Sequence, residues 1–75
     1  MTITEFDKLS DDRQYDLIFT KGDFVKNYVT PKERCNLYAL WTFFIEVRYD
    51  PISNTIIGKN TFKEGELLDK YTTGF

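Results

Sequence analysis

The stretch from Leu37 to Asp50, LYALWTFFIEVRYD, constrains the fold more than any other part of the chain. Two runs rich in aromatic and β-branched residues, RCNLYAL and FFIEVRY, flank the pair Trp41 and Thr42, and so read as strands joined by a two-residue hairpin loop. Such loops favour positive φ, which glycine adopts without cost and which crowds the Cβ of tryptophan and the branched Cβ of threonine. The bulkiest side chain of the chain therefore sits where turn chemistry disfavours it. Either the connection is longer and irregular, or the position tolerates strain because Trp41 is wanted at the surface.

With a two-residue loop, Leu40 lies opposite Phe43, Tyr38 opposite Ile45 and Asn36 opposite Val47, which makes one face the core. The other face then carries Cys35, Leu37, Ala39, Phe44, Glu46 and Arg48. It is apolar for a solvated surface, with one charge of each sign; Glu46 and Arg48, two residues apart on it, are expected to pair as ions.

Upstream the period is helical. In TEFDKL, Thr4 is the expected N-cap of a single turn, with Glu5 and Asp7 at the positive end of its dipole. SDDRQYDLIFTKG carries Ser10 as N-cap, Asp11 and Asp12 in the first turn, Lys21 in the last and Gly22 as the stop, with Tyr15, Ile18 and Phe19 forming the apolar stripe. From Asp23 the period changes to two, and DFVKNYVT reads as a strand closed by a turn at Thr30, Pro31, Lys32 and Glu33. DPISN is a further bend, leading into a strand over TIIGKNTF in which Gly58 suggests a bulge. Leu67, Leu68 and Tyr71 in KEGELLDKY suit a short C-terminal helix. The expected fold is α+β: an N-terminal helix, an antiparallel meander of about four strands and a short C-terminal helix, with the helices on one face of the sheet. Residues 1–75 give room for a single domain.

Resemblance adds to the fold. Leu37, Tyr38, Leu40, Phe43, Ile45, Glu46, Val47, Tyr49, Asn54 and Ile56 match a pattern close to LYxLxxFYVEVxYxxxxNxI. On these residues the chain resembles a group of small bacterial proteins common in Bacteroidota and their mobile elements. The resemblance implies the hairpin fold, supplies no activity, and makes an inhibitor encoded by a mobile element or phage a natural expectation. At the bend, where members often carry polar or glycine-containing pairs, this chain has Trp41 and Thr42.

Composition narrows the function. The chain has no histidine, the commonest general base near neutral pH and the commonest transition-metal ligand, and its one cysteine, Cys35, has no such base to activate it. No enzyme activity, cofactor or metal site is expected. A net charge of -2 with dispersed Lys and Arg lacks the basic stripe that phosphate binding needs, so nucleic acid is not an expected partner. No apolar run is long enough to span a membrane, the N-terminus lacks a signal-peptide pattern, and a lone cysteine does not call for an oxidising compartment, which together suggest a cytoplasmic location. The expected function is a non-enzymatic binding protein contacting a protein partner, or a second copy of itself as a homodimer, through Trp41, Phe44, Leu37, Glu46 and Arg48. The alternative is a protein that sequesters a small molecule or nucleotide, its aromatics stacking on a ring while Arg48, Lys26 or Lys59 neutralises phosphate.

Overall fold

A computed structural model describes residues 1–63, and the expected C-terminal helix over Leu67, Leu68 and Tyr71 lies outside the described residues. The chain begins with two helices, α1 (Ile3–Asp7) and α2 (Asp11–Lys21), followed by strands β1 (Asp23–Val29), β2 (Arg34–Leu40), β3 (Phe43–Tyr49) and β4 (Ile56–Lys63). The strands form one antiparallel sheet in the order β1-β2-β3-β4, the expected meander.

The N-cap of α1 is Thr2 and not Thr4. Its side chain accepts from the Glu5 N–H at 3.2 Å, and the Thr2 N–H donates to Glu5 Oε1 at 2.9 Å, a reciprocal capping box. The Thr2 N–H, and after it the Thr2 hydroxyl, hold the Glu5 carboxyl below its ordinary value. A five-residue helix is marginal by itself, and α1 is held by what it buries. Phe6 is fully buried, its ring 5.6 Å from that of Phe43. Gln14, in α2, donates from Nε2 to the Phe6 and Leu9 carbonyls at 2.9 and 3.2 Å, satisfying groups left over at the end of α1.

Ser10 caps α2 as expected, accepting from the Arg13 N–H, and Gly22 ends it. The reason for glycine is close approach and not a left-handed backbone: φ is -73°, but a Cβ here would meet the Ile18 carbonyl oxygen at 2.5 Å. The N–H of Gly22 donates to the carbonyls of Leu17 and Ile18, so the chain turns tightly against the last turn into β1.

Hairpin register is as expected, with Leu40 opposite Phe43, Tyr38 opposite Ile45 and Asn36 opposite Val47. Phe6, Ile18, Leu40, Phe43, Ile45 and Val47 form the main core, flanked by Ile3, Leu9, Tyr15, Leu17, Tyr38 and Tyr49. Both helices thus lie on this first face. Lys59 of β4 ties α2 down, its Nζ 2.9 Å from Asp11 Oδ1 and 4.7 Å from the Tyr15 ring centroid.

Two irregularities reset the period-two alternation. In β1, Phe24 pairs with Tyr38 and Lys26 with Leu37, so Val25 is an extra residue and Phe24 shares a face with Asn27. In β4, Gly58 pairs with Arg48 and Ile56 with Tyr49, so the extra residue is Ile57, next to the glycine expected to mark the bulge. Phe24 is 58% exposed on the edge strand, with its ring edge-on to Tyr38.

The second face is not open as the sequence suggests. Cys35 is fully buried there, and Leu37 and Glu46 are each 1% exposed. Cys35, Leu37 and Phe62, with Tyr28 and Phe44 against them, form a second cluster.

Candidate functional site

Of the five residues expected at an interface, the structure separates three groups. Leu37 and Glu46 are buried within the chain and present nothing to a partner. Phe44 is half-buried against the second cluster, and Arg48 is exposed at the other end of that face. Trp41 alone stands out from the sheet, at the tip of the β2–β3 hairpin.

Trp41 has φ of 55°, while Thr42 does not share the positive φ. That is the φ pattern of a type II′ turn, which reserves its first central position for glycine. A side chain there costs about 1–2 kcal/mol of backbone strain. Despite that cost the indole is 51% exposed. Its inner side stacks on Phe43, with centroids 6.2 Å apart and planes 28° from parallel. Phe43 in turn is buried against Phe6. The ring is therefore seated on the main core from one side and open to solvent on the other.

Beside this tip a cleft of about 460 Å³ opens between Thr2, Ile3 and Thr4 at the start of α1, Thr42 and Phe43 of the hairpin, and Lys63 at the end of β4. Its walls are mixed: apolar at Ile3 and Phe43, with threonine hydroxyls and one lysine. The α1 wall was invisible to sequence reasoning, because the hairpin and residues 2–4 are brought together only when Phe6 packs on Phe43.

The charged groups of the second face are arranged differently from expectation. Arg48 lies 4.0 Å from Glu33 Oε1, and Glu46 accepts a hydrogen bond from Asn60 Nδ2 at 3.2 Å. The Cys35 thiol donates to Glu33 Oε1 at 3.3 Å. Glu33, Cys35 and Glu46 thereby bring one sulfur and two carboxylates within 4.8 Å of one another. Protein donors already engage both carboxylates, and a single soft thiol among hard oxygens is a poorly matched ligand set. The cluster reads as a satisfied polar element of the second face. Glu33 was missed in the sequence, although its spacing of two from Cys35 was the available signal.

At the far end of the first face a polar network replaces the apolar core. Asn27 Nδ2 donates to Asn36 Oδ1 at 2.8 Å, the Arg34 guanidinium lies 5.5 Å from the Tyr49 ring centroid, and Arg34 donates to Asn54. Burial pushes the Tyr49 phenol above its ordinary value, the Tyr38 phenol adds to this, and Asn36 and Arg34 act against it. The loop at this end is closed by Asp50 Oδ1, which accepts from the Ile52 and Ser53 N–H groups at 2.8 and 3.2 Å, and leaves Ile52 96% exposed. Among the described residues no helix is long and apolar enough to cross a membrane. No protein-family model, curated protein or solved structure matches this chain.

Proposed function

We propose that this chain is a non-enzymatic binding protein that contacts a protein partner with the hairpin tip, using Trp41 as the anchor. One observation carries the reading: a tryptophan occupies a glycine position at the cost of backbone strain and keeps half its surface in solvent. Turn geometry alone favours glycine there. Contact with a partner gives the indole a use, because tryptophan supplies large area at low entropic cost and is enriched among the residues that dominate interface energy. The stack on Phe43 fixes the ring before binding, which removes part of the ordering cost of association. The neighbouring cleft gives a partner side chain a place to enter beside the ring.

Of the other expected interface residues, Arg48 and Phe44 retain accessible surface, whereas Leu37 and Glu46 do not, so a homodimer built on the second face is not part of the proposal. Inhibition of a host or competing system, in a cytoplasmic setting, is the biological role that the resemblance to mobile-element proteins suggests. The test is capture of partners from cells of the source by the tagged wild type, Trp41→Gly and Ile52→Ser. A partner retained by wild type and Ile52→Ser and lost with Trp41→Gly supports the reading. A partner held equally by all three refutes it.

A further inference from the structure

We propose that the outer edge of β1, with the exposed rings of Phe19 and Phe24 beside it, is a second interaction surface, and that it takes an extended segment of another protein whose side chains alternate between apolar and acidic. The proposal does not rest on the role of Trp41. β1 is the outermost strand on its side of the sheet, and among the described residues no strand pairs with its outer edge. A row of backbone N–H and C=O groups at such an edge is matched along its length by one kind of occupant, a further strand. Four of the exposed large apolar side chains, Phe19, Phe24, Val25 and Val29, lie on β1 or on the turn of α2 beside it.

The extra residue at Val25 sets what each face of this edge offers. Without it Phe24 and Lys26 would share a face; with it Phe24 stands on the helix side of the sheet and Lys26 on the other. Phe24 lies edge-on to Tyr38 with ring centroids 5.8 Å apart, and Phe19 of α2 meets the same ring at 5.8 Å. Phe24 and Phe19 are 58% and 48% exposed, so an incoming strand lays alternate side chains against half-open rings and sets the intervening ones beside Lys26. Charge then decides between a foreign strand and a second copy. Twofold antiparallel pairing of β1 with itself over all seven residues, Asp23–Val29, sets Lys26 opposite its own counterpart and Asp23 opposite Val29, a like-charge pair at the centre. Registers that part the two lysines shorten the paired stretch. A foreign strand with a carboxylate opposite Lys26 keeps the whole length and gains a cross-strand ion pair.

The test is selection of a phage library of random peptides, long enough to span β1, on the full-length protein, followed by synthesis of the selected peptides. They are expected to alternate apolar and acidic residues, and at saturation to slow hydrogen exchange at the backbone amides of residues 24–29 by at least ~10-fold. Selection on Lys26→Glu is expected to return basic residues at the acidic positions, and the wild-type peptides to bind that variant about 3–10-fold more weakly. Should Lys26→Glu fail to fold, peptides with glutamine at the acidic positions make the same test on wild type: binding weakened at least ~3-fold supports the proposal, and equal binding overturns it. Failure to select any peptide overturns it, as do peptides that bind as helices or protect amides away from β1. Binding lost with Trp41→Gly overturns it too, because the tip and not the edge then holds the peptide. Protection of residues 24–29 that rises with protein concentration in the absence of peptide assigns the edge to a second copy and likewise overturns it.

Discussion

Replacing Gln14 with leucine tests whether the two helices are held together by a buried amide. Gln14 is 6% exposed, and its Nε2 donates to the carbonyls of Phe6 and Leu9. Leucine keeps most of the volume and removes the donor. The Phe6 carbonyl retains the Leu9 N–H at 3.0 Å, so its loss is partial, whereas the Leu9 carbonyl loses the amide that reaches it. A buried carbonyl left without a donor costs about 1–3 kcal/mol, against which the added apolar burial returns less than about 1 kcal/mol. The expected net loss is about 1–2 kcal/mol, which for a chain of this size lowers Tm by roughly 4–16 °C. Urea unfolding followed by far-ultraviolet circular dichroism measures it. Gln14→Glu sharpens the test. Its ionised carboxylate only accepts, so two carbonyls confront a buried negative charge, and the variant is less stable than Gln14→Leu at neutral pH. Because burial raises the folded-state pKa of that carboxyl, the protonated form restores a donor, and relative stability is recovered below about pH 4 and lost as pH rises through the raised pKa. A Gln14→Leu protein as stable as wild type refutes the reasoning.

Other outcomes follow from the same geometry. Gly22→Ala places a methyl 2.5 Å from the Ile18 carbonyl oxygen and is expected to cost about 1–3 kcal/mol in thermal unfolding, although alanine is the better helix former; an unchanged Tm contradicts the close approach. Since the Tyr49 phenol titrates above its ordinary value, it stabilises the fold below about pH 10 and that contribution is lost as pH rises through the higher folded value. Tyrosinate absorbance should show one late-titrating phenol that Tyr49→Phe removes; its persistence in the variant contradicts the assignment. Lys59→Met should cost less than about 1 kcal/mol, because its partner Asp11 is largely solvated; a loss of several kcal/mol shows that the Tyr15 contact dominates.

The hairpin was legible in sequence because its two runs keep a strict alternation with high β-propensity, and a one-residue slip would have moved Leu40 and Phe43 off the core. Ser10 was legible as a cap because acidic residues and an apolar stripe follow it. The first cap was misplaced because two threonines compete: Thr2 has Glu5 three residues on, and Thr4 has Asp7. Burial of Phe6 against Phe43 selects Thr2, and that contact is long-range. Neither irregularity carried a local signal at its own residue, since Val25 and Ile57 are ordinary strand formers, and Gly58 marked its neighbour. Burial of Leu37 and Glu46 was missed for a related reason: alternation tells which residues share a face and is silent on what lies over it. Trp41 was legible as a conflict between residue and turn, and the structure keeps the conflict as positive φ on an exposed ring.

The central claim is that Trp41 is held at the tip for contact rather than for stability, and equilibrium unfolding of Trp41→Gly, followed by circular dichroism in urea, tests it most directly. Glycine relieves about 1–2 kcal/mol of backbone strain, while the half-buried stack on Phe43 and the entropy of glycine give back about the same amount. The account therefore predicts a stability within about 1 kcal/mol of wild type, with an unchanged m-value. A loss of about 3 kcal/mol or more, the scale of removing an aromatic side chain from a core, would make Trp41 a cap on the core and contradict the account.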